Sequence, residues 1–151
     1  MSYLILAIGP KHDPDLLASI ESYEKRLQYW GGLVWNLLPY GSQDKTVARR
    51  VESDAMRAKL RDDDYVILLD ERGTQLTSPA LAAQLDSLRT SSKRIVFIIG
   101  GAYGVDDFLR TRANLVWSLS PLVFPHQLVR LILVEQLYRA HTILDNHPYH
   151  H

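Results

Sequence analysis

The sequence predicts an α/β protein, with a mostly parallel sheet and helices on both of its faces. Three observations carry that prediction. Five short apolar runs recur along the 151 residues: Tyr3 to Ile8, Leu33 to Leu38, Tyr65 to Leu69, Arg94 to Ile99 and Leu115 to Ser118. Between them stand segments with apolar residues at helical spacing, so strands and helices alternate. The runs are apolar throughout rather than at every second position, as strands covered on both faces are.

Each element has its own local signals. Gly9-Pro10 ends the first run. Asp13 caps a helix whose first residue is Pro14, and Leu16, Leu17, Ile20, Tyr23 and Leu27 give it one apolar face until Gly31-Gly32 stops it. Pro39 breaks the second run. Asp44 caps a helix through about Leu60, the most polar in the chain, with Lys45, Arg49, Arg50, Arg57, Lys59 and Arg61 beside Glu52 and Asp54. That helix reads as a solvated face laced with ion pairs, or else as a basic edge for phosphates. The third strand ends at Leu69 and is followed by Asp70-Glu71-Arg72-Gly73. Ser78-Pro79 repeats the cap-and-proline signal for a helix to about Thr90, built on Leu81, Leu85 and Leu88. The fourth strand runs straight into Gly100-Gly101-Ala102-Tyr103-Gly104. A short helix from Asp106 to Arg112 leads to the fifth strand, and Pro121 and Pro125 keep the next segment in a loop.

Residues 128 to 144 then run seventeen positions without Gly or Pro. Leu128, Leu131, Leu133, Val134, Leu137, Tyr138, Ile143 and Leu144 point nearly all round this helix. A helix apolar all round is buried on all sides. In a chain this short the expected covers are its own sheet on one side and a second copy of the protein on the other.

Composition bounds the function. The length suits one domain spanning residues 1–151. Lysine plus arginine and aspartate plus glutamate are 17 each, so any case for nucleic acid rests on local patches. The absence of cysteine excludes disulfides, thiolate catalysis and cysteine-ligated metal, and fits a cytosolic protein. The N-terminal apolar run is six residues with no basic region before it, a first strand rather than a signal peptide or membrane span.

In open α/β sheets ligands bind beyond the carboxyl ends of strands. Three such ends stand out: Leu69-Asp70, Gly100 to Gly104, and Ser118 to Pro125. GGAYG has neither the dinucleotide-binding spacing nor a phosphate-loop lysine, so a plain strand-to-helix turn and a ligand site stand as equal readings. Asp70 suits a ribose, an amine, or merely the cap of a turn. His126 and Arg130 open the last helix. The tail, Asn146-His147-Pro148-Tyr149-His150-His151, clusters an amide, imidazoles and a phenol, and its spacing gives no metal site without cysteine. These readings amount to a small α/β ligand-binding protein, dimeric, with a pocket at its last loops; they leave the reaction open.

The motifs in order narrow it. Ile98-Ile99-Gly100-Gly101-x-x-Gly104, Trp117-Ser118-Leu119-Ser120, Pro125-His126-x-Leu128-Val129-Arg130, Glu135-Gln136-Leu137-Tyr138-Arg139-Ala140 and Asn146-His147-Pro148-Tyr149-His150 together resemble the RlmH family. These are bacterial methyltransferases of the SPOUT class that modify N3 of a pseudouridine in 23S ribosomal RNA. The resemblance spans the chain and is densest from residue 94 onward. It implies a deep trefoil knot over about residues 94–151, a homodimer, and S-adenosylmethionine (SAM) held in the knot. Carried over motif by motif, the cofactor positions are Leu69, Asp70, Gly100, Gly101 and the loop Ser120, Pro121, Leu122, Val123, Phe124 and Pro125. His126, or His147, Tyr149 or His150 from a partner's tail, would be the base, and Arg130 would hold phosphate or the developing imide anion. No metal and no membrane are implied. The substrate would be rRNA within the assembled ribosome, docked on Lys11, Lys25, Arg26, Lys45, Arg49, Arg50 and Arg130. Tyr103 would stack on a base or cover the cofactor pocket. A non-catalytic nucleotide- or RNA-binding protein and a transfer-RNA methyltransferase on the same fold are the alternatives.

Overall fold

The structure, a computed structural model, describes residues 2–151. Five parallel strands form one sheet in the order β2-β1-β4-β3-β5: β1 (Tyr3–Ile8), β2 (Leu33–Leu38), β3 (Tyr65–Gln75), β4 (Ile95–Ile99) and β5 (Leu115–Ser118). Five α-helices connect and cover them: α1 (Pro14–Leu27), α2 (Lys45–Arg57), α3 (Ser78–Arg89), α4 (Asp107–Arg112) and α5 (His126–Leu144). Side chains of a strand alternate between faces, and that period sorts the core. Ile5, Ala7, Ile67, Ile95, Phe97 and Ile99 pack with α1, α3 and α5. Leu6, Ile8, Val66, Leu68, Val96 and Ile98 pack with Met56 of α2 and Leu109 of α4 on the other face.

The carboxylates of Asp13 and Asp44 cap α1 and α2 as expected, accepting from backbone N–H groups in their first turns; Asp106, expected as the first residue of α4, caps that helix instead. For α3 the cap is Thr77, one residue before the expected Ser78, whose hydroxyl instead donates to Gln136 at 2.7 Å. The polar helix α2 ends at Arg57, short of Leu60. Its outer face is solvated and carries the Arg57–Asp54 ion pair at 2.7 Å, as expected, while its inner face buries Glu52 and Ser53.

β3 runs six residues past Leu69. Its pairing with β5 is interrupted: Leu69 and Thr74 both register with Trp117, and Asp70 to Gly73 arch out between them. Gly73 lies against the carbonyl of Val116 with no room for a Cβ, which is why the strand can re-pair there. Sequence periodicity alone stops this strand too early.

No residue of α5 is exposed. The sheet lies beneath it as expected, and α1 and α3 of the same chain also pack along it. Among the described residues no helix is long and apolar enough to cross a membrane.

Candidate active site

The arch that interrupts β3 after Leu69 and the carboxyl ends of β4 and β5 open into one cavity of about 360 Å³. That is the size of a small-molecule site. The arch after Leu69, the turn Gly100 to Gly104 and the loop Leu119 to Phe124 form most of its wall; Lys45 and Arg49 of α2 and His126 and Val129 of α5 complete it. Leu69, Asp70, Gly100, Gly101, Ser120, Leu122, Val123 and Phe124, all expected from the sequence, line this cavity, while Pro121 and Pro125 of the same loop do not.

Each loop is held by bonds of its own. Gly104 adopts φ +73° and its N–H donates to Gly101 O at 3.0 Å, closing the glycine turn. Arg49 Nε donates to Tyr103 O at 2.9 Å and so ties that turn to α2. In the last loop Ser118 Oγ donates to Ser120 O, and Ser120 Oγ accepts from Leu122 N. Leu122 and Val123 stand 68% and 80% exposed, an apolar lip on the cavity's edge.

Asp70 is fully engaged. It accepts from Arg72 N at 2.8 Å, from the Arg72 guanidinium at 3.2 Å, and from Arg110 Nη2. Burial pushes its carboxyl up, but the bonds from Arg72 and Arg110 outweigh burial and hold it at about 2. It is therefore an ionised anchor of the arch.

His126 is half-buried at the start of α5, and its pKa lies below the ordinary value. Burial is the main cause, Arg130 adds to it, and Glu52 opposes both. At neutral pH the imidazole is uncharged and able to accept a proton.

Arg130 does not occupy the place expected for a phosphate contact. It is 0% exposed and turned inward beneath the loop from β1 to α1. Its Nη2 donates to Ile8 O at 2.8 Å and Gly9 O at 3.2 Å, and its Nη1 to Lys11 O at 3.0 Å and His12 Nδ1 at 3.2 Å. An arginine so committed presents nothing to RNA.

His147, Tyr149 and His150 lie beyond the far end of α5. Nineteen helical residues separate the two ends, about 28 Å at 1.5 Å per residue. The tail folds back on its own helix: Tyr149 Oη donates to Glu135 Oε1 at 3.0 Å, and His150 Nδ1 accepts from Arg139 Nη1 at 3.1 Å. Burial first, then the bonds to Tyr23 and Glu135, raises the Tyr149 pKa, so the phenol stays protonated. No residue of the tail lines the cavity of its own chain. Among the described residues no group of three or more His, Cys, Asp or Glu converges as a metal site would.

Residues 1–150 match the family model described as predicted SPOUT methyltransferase. The chain belongs to the SPOUT methyltransferase family. It is 42% identical over 156 residues to ribosomal RNA large subunit methyltransferase H of Geobacter metallireducens, covering 100% of this chain and 99% of that protein. The protein of the same name from Natranaerobius thermophilus is 38% identical over 161 residues, with 100% of both chains covered. That of Xylella fastidiosa strain 9a5c is 39% identical over 154 residues, at 99% and 98% coverage.

Within this SPOUT chain, sequence reasoning missed Lys45, Arg49 and Val129 as pocket walls. Nothing local marks Lys45 and Arg49, because their place depends on where α2 meets the glycine turn. Val129 follows His126 by one helical turn, and that spacing would have found it.

Proposed function

We propose that this chain transfers a methyl group from SAM to N3 of a pseudouridine in the 23S rRNA of the assembled ribosome. It would work as a cytoplasmic homodimer, one domain over residues 1–151 with its C-terminal part threaded as a trefoil knot. One observation carries the reading: the SPOUT chain gathers its three strand-end loops around a single cavity, and its full-length relatives are named as large-subunit rRNA methyltransferases.

The cavity fits the cofactor. Leu69, Ile99, Leu122, Phe124 and Val129 offer an apolar slot for an adenine ring, and the glycine turn brings backbone polar groups close beside it. When bound, SAM supplies an activated methyl on a sulfonium that leaves as a neutral thioether. The chain's own residues supply alignment, for which positioning contributes at best ~7–11 kcal/mol of the barrier. They also supply a base, since a neutral imide is a poor nucleophile. His126 suits that role as an uncharged imidazole on the cavity wall.

His147 and His150 remain candidates only from a second copy, given the length of α5. Tyr149, held protonated, suits donation of a hydrogen bond rather than base catalysis. Lys45 and Arg49, on the cavity wall, are placed to meet the phosphates flanking the target base. Exposed Lys11, Lys25, Arg26 and Arg50 offer further docking charges on a particle that is itself strongly anionic.

The test is tritiated methyl transfer from SAM to ribosomes lacking the modification, beside free subunits and transfer RNA, with the labelled base mapped. Label at one pseudouridine of 23S rRNA in whole ribosomes is the expected result. Label in transfer RNA, or none anywhere with SAM bound, overturns the reading.

A further inference from the structure

Glu52 is 4% exposed, yet among the described residues no cation pairs with it. Its Oε2 accepts from Gly41 N at 3.0 Å. Its Oε1 is buried without a hydrogen-bond partner. A buried carboxylate with one idle oxygen is disfavoured against an apolar side chain of the same size, so packing alone does not account for a glutamate here.

What surrounds it does. Glu52 is wedged between two glycines on two different loops. A Cβ on Gly41 would meet Glu52 Cγ at 3.0 Å; one on Gly101 would fall well inside contact with Oε1 and lie 3.2 Å from Cδ. Gly41 belongs to the loop between β2 and α2, and Gly101 to the turn that lines the cavity. Two further residues of α2, Arg49 and Ser53, one helical turn apart, act on that turn too. Arg49 Nε holds Tyr103 O, and Ser53 Oγ accepts from Asp106 N at 2.9 Å. Three side chains of α2 thus grip the segment from Gly101 to Asp106 from behind.

We propose that Glu52 is a positioning residue of the active site, a buried strut that sets the glycine turn through Gly101 without touching cofactor or substrate. This rests on the reading of the cavity as the SAM site. The carboxylate is planar and tied to Gly41 N by its other oxygen, so its free edge faces the turn where Gly101 has no side chain. The strut holds the turn to the extent that this bond and the burial of Glu52 keep the carboxylate from swinging away.

A double-mutant cycle tests the strut. If Glu52 acts as a strut, Gly101→Ala displaces the turn rather than the carboxylate, by roughly 1 Å, a misplacement expected to cost about 10²-fold in transfer rate. Glu52→Ala vacates the space, so the double variant Gly101→Ala with Glu52→Ala recovers at least tenfold of that loss in affinity for S-adenosylhomocysteine or in rate, an order-of-magnitude expectation. Glu52→Gln keeps shape and one acceptor and falls between wild type and Glu52→Ala. In Glu52→Ala the KM for SAM rises while the KM for ribosomes stays level. Amide exchange of Gly104 and Asp106, read without any ligand, speeds up in Glu52→Ala and less in Glu52→Gln. Unchanged exchange, or a double variant no better than Gly101→Ala, overturns the strut. Wild-type protein that binds no SAM overturns the cavity reading instead, and the exchange data still judge Glu52.

Discussion

Replacing Arg130 by alanine separates a structural arginine from an RNA contact. The guanidinium is fully buried and donates to three backbone carbonyls and one imidazole nitrogen of the loop joining β1 to α1. Among the described residues no carboxylate pairs with it, so neutral acceptors offset its burial, and burial lowers its pKa. Alanine would strand Ile8 O and Gly9 O in the interior, at about 1–3 kcal/mol for each unsatisfied group. Removing a desolvated charge returns part of that, which leaves a net loss of roughly 3 kcal/mol. For a chain of this size the loss lowers Tm by about 6–12 °C. Thermal unfolding followed by circular dichroism reads it directly. Arg130→Lys, which keeps the charge but not the fork, should lose less. A variant with wild-type Tm and abolished methyl transfer would overturn the structural assignment and return Arg130 to the substrate.

Three further outcomes concern the electrostatics and the tail. His141 is buried, bonded through Nε2 to Tyr3 Oη at 2.7 Å and stacked on Trp30, with burial chiefly holding its pKa at about 4 against 6.5 for a free imidazole. The unfolded chain binds the extra proton first, so stability is full above pH 6.5 and falls by roughly 2–3 kcal/mol as pH drops towards 4. Urea titrations across that range should show the decline, and His141→Phe should flatten it. Asp70→Asn should loosen the arch and weaken SAM binding measured by calorimetry, by a factor that stays level between pH 5 and 9, because the bonds from Arg72 and Arg110 hold the wild-type carboxyl at about 2. Removing residues 145–151 should abolish methyl transfer while leaving SAM affinity unchanged; transfer at the wild-type rate would deny the tail any catalytic part.

The sheet was legible because its signal is local and repeated. Five apolar runs, separated by capped helices, mark five parallel strands, and Asp13, Asp44 and Asp106 mark helix starts through bonds reaching two or three residues along the chain. The three strand ends could be named as pocket walls because parallel topology puts them on one edge. What escaped was set by contacts distant in sequence. Glu52 sits among arginines and reads as solvated; two glycines, at positions 41 and 101, decide that it is buried. Arg130 looks like a phosphate hook until the carbonyls of Ile8, Gly9 and Lys11 close over it. The all-round apolarity of α5 was correctly taken to mean burial, but that α1 and α3 supply part of the cover depends on where those helices fall, which periodicity does not tell. The re-pairing of β3 beyond Gly73 depends on the Val116 carbonyl, which no local pattern announces.

The decisive measurement is a crystal structure of the protein with S-adenosylhomocysteine, with affinity determined by calorimetry on the same preparation. The nucleoside is expected in the cavity between Gly101 and the Leu122–Phe124 lip, with the sulfur directed towards His126. Ligand density elsewhere on the chain, or no binding at millimolar concentration, would show that this cavity is not the methyl-donor site.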